Sequence, residues 1–446
     1  MSKRLATGAV LSVIISAHDA AAQMAPDSPT TISVGDWKLA PVFDLRLRGE
    51  YRHDLDAHDR ALLIERTRIG LDAVDGPLEM RVVLEDARAI ALTSGTFVEG
   101  PLPIALTGAY DAWAQVHTAS VRPSFVRAGR QPITWGEGRL LGESDWSPTG
   151  RSLDALRGRL VFGDGAAEVL GAAVEGASAR SFALDAYAAL LGVRGEWVIA
   201  PLFALEAYAL ARLARENPPP DVDLSGSVRG QTYTGAFHLH GDGQGWNWGT
   251  EAALQLGHVD GVPRFGVASF SGGREAWAAA GHVSRTFGDI VLSPVFVLGV
   301  SYASGDRVGP MVRAFDPLFP DAHTWHGAMD VFSWSNEEEA NLRVALAPWT
   351  DAMVAVEYRY ARLAEIADAW RSGYLETMGQ SSRNSSADLG HEVDAVLRWS
   401  PLRSLDFEVG YSCLFLGTGA RALILASQGS ADAVSHFAYT QIRVGF

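Results

Sequence analysis

The segment FDLRLRGEYR places Phe43, Leu45, Leu47, Gly49 and Tyr51 on one parity and Asp44, Arg46, Arg48, Glu50 and Arg52 on the other. Such alternation predicts a β-strand with one apolar and one charged face. A soluble sandwich would bury the apolar face in a core, whereas a membrane barrel would turn it to lipid and the charges to a lumen. Repetition of the pattern, and the lengths of the connections between repeats, separate the two.

Comparable stretches recur near residues 61–74, 78–90, 108–119, 122–131, 152–163, 165–175, 183–199, 202–213, 228–241, 246–259, 274–288, 290–304, 339–348, 352–364, 389–400, 403–417 and 432–446. With the first they make eighteen, an even number, as bacterial outer-membrane barrels require; boundary error leaves sixteen open. Short connections fall at 75–77, 120–123, 163–165, 200–201, 241–245, 288–289, 348–351 and 400–403, and long ones at 89–107, 132–151, 214–227, 305–338 and 365–388. The expected fold is therefore all-β: a transmembrane antiparallel β-barrel of about 18 strands, with long extracellular loops and short periplasmic turns. The final stretch, AYTQIRVGF, alternates and ends on Phe446, as a last barrel strand does. Trp246 with Trp248 and Tyr358 with Tyr360 sit near expected strand ends and fit interfacial aromatic girdles.

The N-terminus reads as a secretion signal: MSKR is basic, LATGAVLSVIISA is apolar but too short to span, and Ala20, Ala21 and Ala22 form a small-residue cleavage site. The domain expectation is a signal peptide over 1–22 and a barrel over 23–446, in the outer membrane of a Gram-negative cell. A formal charge of −15 argues against nucleic acid as a partner. The only lysines are Lys3 and Lys38, so the lumenal cations are arginines. Either a coding bias produced this, or a carboxylate-bearing ligand did, since the guanidinium fork stays charged and grips carboxylates bidentately. Cys413 is the single cysteine, which excludes an internal disulfide.

Alternation sends Arg46, Arg48, Arg66, Arg68, Arg127, Arg157, Arg159, Arg343 and Arg359 to the lumen, along with Asp44, Glu50, Asp72, Glu251, Glu357, Glu392, Asp394, Asp406 and Glu408. For each cation, ligand contact and a cross-strand ion pair are both open readings. Catalytic patterns are lacking: GEGR at 136–139 has no phosphate-loop lysine, and neither GxSxG nor HExxH occurs. His238 with His240, and His323 with His326, have no third ligand at metal spacing. No enzyme activity, cofactor or metal is expected.

GRQPITWGEGRLLGESDWSPTGRSLDALR at 129–157 resembles the signature segment of the alginate export family of outer-membrane barrels. SYASGDRVGPMVRAFDPLFPDAHTWHGAMD at 301–330 resembles a second family motif, with further matches in EDAR at 85–88 and GHEVD at 390–394. The resemblance implies an eighteen-stranded barrel whose arginine-rich constriction passes an anionic uronate polymer outward, with periplasmic export machinery as a partner beside the outer-membrane lipid. Carried over by motif, it points to Arg127, Arg130, Arg139, Arg151 and Arg157, with Asp154 as their acidic partner. Alternation from Arg127 sends Arg130 to the lipid face, which predicts either a bulge or a place at the rim. Arg139 and Arg151, held by Glu137, Glu143, Asp145 or Asp154, are expected to shape a loop folded toward the pore mouth. Two other functions stay open: a porin taking up small anions, narrowed by loops 132–151 and 305–338, and a barrel serving as anchor for an enzyme or adhesin.

Overall fold

The computed structural model describes residues 31–446, apart from 56–57, 93–104, 118–123, 175–187, 201, 215–229, 266 and 382. The signal-peptide expectation for residues 1–22, the turn at 120–123 and much of loops 89–107 and 214–227 lie outside the described residues. Eighteen antiparallel strands form the wall. The first six are β1 (Trp37–His53), β2 (Asp59–Asp75), β3 (Leu78–Ala91), β4 (Ala105–His117), β5 (Phe125–Gln131) and β6 (Leu153–Phe162). Next come β7 (Gly165–Val174), β8 (Ala188–Ala200), β9 (Phe203–Ala214), β10 (Gly230–Gly243), β11 (Trp246–Arg264) and β12 (Val267–Thr286). The last six are β13 (Val295–Ala303), β14 (Glu337–Leu346), β15 (Ala352–Leu363), β16 (Asp388–Leu402), β17 (Leu405–Leu416) and β18 (Val434–Gly445).

Each strand pairs with its sequence neighbour, and β1 pairs with β18 from Asp44↔Gly445 to His53↔His436, which closes the sheet. Closure removes the unpaired edge that hydrocarbon would not tolerate. Every expected stretch corresponds to one strand. The largest boundary change is at β12, which begins at Val267 because the β11–β12 hairpin continues through two register shifts between Val259 and Arg264. Glycine, proline and those shifts erase the alternation there.

The faces are inverted relative to a soluble protein. Leu47, Ile69, Leu71, Leu156 and Leu160 are exposed on the outside, while Arg46, Arg48, Arg66 and Arg68 are buried within. An arginine at mid-membrane on the lipid side would cost about 2–4 kcal/mol, so the arginines of β1 and β2 have one stable orientation. Aromatic side chains gather at the periplasmic ends, where Phe43 stacks on Phe446 and Phe203 meets Trp248. Tyr51, Tyr233, Tyr358 and Tyr411 are exposed toward the opposite ends. Together they make the two girdles expected of a barrel in a bilayer.

Two hydrophobic cores lie inside the barrel rather than around it. One joins Trp135, Leu140 and Leu141 from the β5–β6 connection to Phe315, Phe319 and Trp334 from the β13–β14 connection, against the wall at Leu190 and Leu210. The other brings Met329, Val331 and Phe332 against Trp370 and against Leu423 and Ile424 of the helix Thr418–Gln428. Loops that could have projected into water therefore fold inward and pack against the lumenal side of the wall.

Candidate functional site

The β5–β6 loop, residues 132–152, enters the lumen and is gripped by the wall. Its centre is Asp145. Arg66 Nη1 donates to Asp145 Oδ1 at 2.8 Å and Arg68 Nη1 reaches the same oxygen at 3.1 Å. Arg443 Nη1, on β18, approaches Oδ2 at 3.6 Å. Arg46 adds bonds to the Asp145 carbonyl at 2.5 Å and the Ser147 carbonyl at 2.7 Å. These arginines come from β1, β2 and β18, side by side across the closure of the barrel. Burial alone would raise the Asp145 pKa, but Arg66, Arg68 and Arg46 outweigh it and hold the carboxyl well below the usual carboxylate range. Beside it, Trp146 lies between the guanidinium of Arg48, 3.8 Å from its ring centroid, and the imidazole of His323, stacked at 3.8 Å.

A hairpin turn of the same loop reaches the opposite wall. Gly136 N–H donates to Glu206 Oε1 at 2.8 Å, and Glu137 N–H to Glu251 Oε2 at 3.1 Å. Gly136 has φ +59°, and a Cβ there would stand 2.7 Å from Glu251 Oε1, so both conformation and space demand glycine. The Glu137 carboxylate receives Arg139 Nε at 2.9 Å and lies 3.3 Å from nitrogens of both His238 and His282. Burial opposes its charge, yet Arg139 with the two histidines holds its pKa well below the usual value.

The β13–β14 loop, residues 304–336, locks onto the first. Leu141 bridges Phe319, Phe319 N–H donates to the Leu140 carbonyl at 3.0 Å, and Asp321 N–H to the Gly138 carbonyl at 2.8 Å. Arg151 Nη1 binds the carbonyls of Gly142, Phe319 and Pro320 at 2.7 to 3.0 Å. Asp316 anchors the second loop to the wall through Arg212 at 2.5 Å and Arg274 at 2.9 Å. His326 is fully buried, and desolvation, with Arg139 and Arg359 nearby, pushes its pKa well below the ordinary imidazole value.

The sequence-derived positions thus divide into groups. Arg46, Arg66 and Arg68 share Asp145; Arg48 binds Glu50 Oε1 at 2.6 Å and the Trp146 carbonyl at 2.9 Å. Arg139 and Arg151 tie the loops. Arg157 Nη2 pairs with Glu168 Oε1 at 2.8 Å, while Arg159 contacts Glu168 and Glu196. Arg359 holds Glu339 and Glu357 and donates to the Trp325 carbonyl at 2.9 Å. Arg343 stands opposite Glu357 in the β14–β15 register. Arg127 touches no carboxylate among the described residues: it donates to Gln115 Oε1 at 2.6 Å and lies 3.8 Å over Trp113.

Arg130 and Asp154 stand apart from the lumenal groups. They form a bidentate pair at 2.8 and 3.1 Å on the parity of the outward-exposed Val126 and Leu156. The β5–β6 register runs through Arg130↔Asp154 without a shift, so no bulge turns Arg130 inward; it is the penultimate residue of β5. The two charges neutralise each other on the outer wall, as Asp86 and Arg88 do at 2.7 Å on β3.

Sequence reasoning missed the place of Asp145 among Arg46, Arg66 and Arg68, because it assigned that residue to Arg139 and Arg151. It also missed Arg212, Arg274 and Asp316, and the approach of Glu337 and Glu339 to His326, a histidine for which no third ligand was expected. Only the alternation of Arg212 within β9 and of Arg274 within β12 carried any signal. The contacts themselves join residues up to about a hundred positions apart, as with Arg46 and Asp145.

The alginate export family matches residues 39–428. No curated protein matches the chain. Among solved structures, Acinetobacter baumannii OccAB1 superposes with a TM-score of 0.61 at 9% identity, covering 92% of this chain and 96% of its own. A. baumannii OccAB2 gives 0.60 at 11% identity, covering 91% and 98%. Pseudomonas aeruginosa OpdK, solved with vanillate, gives 0.58 at 12% identity, covering 91% and 98%. At such identities these likenesses speak to the fold alone, which is that of outer-membrane channels. The match over nearly the whole barrel, together with the closed eighteen-stranded wall, places this chain in the alginate export family of outer-membrane β-barrel channels.

Proposed function

We propose that the channel conducts anionic saccharides, with alginate-like uronate chains as the substrate class, through its arginine-lined lumen. The observation that carries this reading is the convergence of Arg46, Arg66 and Arg68 on the Asp145 region of the loop. A wall that holds one carboxylate with charge-assisted bonds from adjacent strands has the chemistry to hand carboxylates along a polymer. Arg127, free of acidic contacts among the described residues, and Arg157 and Arg159 extend the same chemistry along β5 and β6. The interleaved acids keep each binding step weak enough for release. An N-terminal signal ending near Ala22 would deliver the chain to the periplasm, from which export machinery would supply the polymer.

A second reading, uptake of small organic anions, is favoured by the two loops packed inside the lumen, which narrow it. The vanillate named with OpdK is a monocarboxylate of that size. Planar-bilayer recording separates the readings. Uronate export predicts anion-selective current blocked by oligouronate and weakened by R127A, R157A and R159A. Block by a monocarboxylate alone supports small-anion uptake, and cation preference without uronate block overturns both.

A further inference from the structure

His326, Glu337 and Glu339 form a cluster of which the arginine wall engages Glu339 alone, through Arg359. His326 comes from the inward β13–β14 loop, and the two glutamates stand two apart at the start of β14, so they share its lumenal face. All three are buried. His326 Nδ1 lies 3.1 Å from Glu339 Oε2 and 3.4 Å from Glu337 Oε2. One ring N–H serves one acceptor in good geometry, and neither carboxylate oxygen of Glu337 has a hydrogen-bond partner. A buried carboxylate left without partners is costly, so its retention calls for something that fills the place.

The spacing fits a metal ion. One imidazole nitrogen and two carboxylate oxygens lie within 4.8 Å of one another. Bonds of about 2.0–2.1 Å in a tetrahedral Zn2+ site put neighbouring ligand atoms about 3.3 Å apart. The separations of 3.1 and 3.4 Å are close to that tetrahedral edge. Arg359 Nη1 binds the other oxygen of Glu339, the outer contact that fixes a ligating carboxylate in orientation. Arg359 also meets Glu357, and Arg139 is paired with Glu137, so each nearby guanidinium has an acid of its own against it.

We infer that His326, Glu337 and Glu339 bind a first-row divalent transition-metal ion, Zn2+ being the probe of choice, and that the ion clamps the β13–β14 loop to the barrel wall. Imidazole with carboxylates suits zinc and its neighbours, whereas an oxygen-only set would suit calcium. Three protein ligands leave a fourth position for water.

The full-length protein, purified in detergent and stripped with a chelator, is titrated with ZnCl2 or CoCl2. One equivalent of bound metal by elemental analysis is expected, with visible Co2+ absorption of a low-coordinate site. E337Q keeps side-chain shape and removes the charge, so it retains the heat-modifiable migration of a folded barrel while losing the equivalent and the absorption; H326Q does the same. Binding of equal stoichiometry in wild type and E337Q would overturn the assignment, since the ion would then sit at other histidines. So would the lack of any tightly bound metal in wild type, in which case Glu337 is accommodated by a proton alone.

Discussion

At the scale of single residues, the lumen is organised by carboxylates on loops and guanidiniums on strands. Asp145 shows the consequence for pH. Its pKa is depressed, so the stability it contributes is present above the ordinary aspartate range and is lost only as pH falls through the lowered value. Loop 132–152 should therefore stay protected from pepsin at pH 4, where an unpaired aspartate is about half protonated. D145N removes that protection at every pH and costs about 2 kcal/mol of loop docking, because Arg66 and Arg68 lose the anion they share and keep only Asp44 and Glu85, which belong to the wall and not to the loop. Trypsin cleavage after Arg139 and Arg151 at pH 8 reads the opening, and unchanged cleavage in D145N would show that the backbone bonds to Arg46 suffice. Gly136 gives a second test. G136A must accommodate a Cβ 2.7 Å from Glu251 Oε1 at φ +59°, so it should cost about 1–3 kcal/mol and expose the same two sites.

At the scale of elements, the wall was legible in the sequence; of its contents only the two long loops were marked as narrowing the channel, and not the contacts that hold them. Alternation marks every strand because lipid on one side and charge on the other leave only one stable register, and each wrong step would put an arginine of β1 or β2 into hydrocarbon. Arg130 was the visible exception, and the structure resolves it through Asp154 on the next strand rather than by a bulge. R130A removes the guanidinium that makes the bidentate contact to Asp154 on the outer wall, so folding yield into lipid vesicles should fall, while R130A/D154A, which removes both charges, should recover most of it. Recovery failing in the double variant would mean that the pair has a role beyond neutrality. The inward loops gave no comparable signal. Trp135, Leu140 and Leu141 look like any apolar residues in a long connection, and the surface that buries them comes from the wall at Leu190 and Leu210 and from Phe319 and Trp334, about 180 to 200 residues later. Periodicity reports a residue's own element; it is silent about a partner loop.

At the scale of the whole molecule, overall charge and local field have opposite signs. The chain is acidic, at −15, yet one side of the lumen is built from arginines whose charge is engaged by the loop that fills it. Loop docking and anion conduction therefore compete for the same cations. Replacing residues 136–150 by a short glycine-serine linker removes Asp145 and the hairpin together, and leaves the strand ends at Gln131 and Leu153 in place. Single-channel conductance should rise because the lumen widens, and anion preference should rise with it, because Arg46, Arg66 and Arg68 then face the open path. The reversal potential in a KCl gradient measures the second effect independently of the first, and raising salt should diminish it as the charges are screened within about 8 Å at physiological ionic strength. A wider but less anion-selective channel would show that the acids of β15 to β17 set the field, and the arginine wall would then be a scaffold for the loop and not a path for carboxylates.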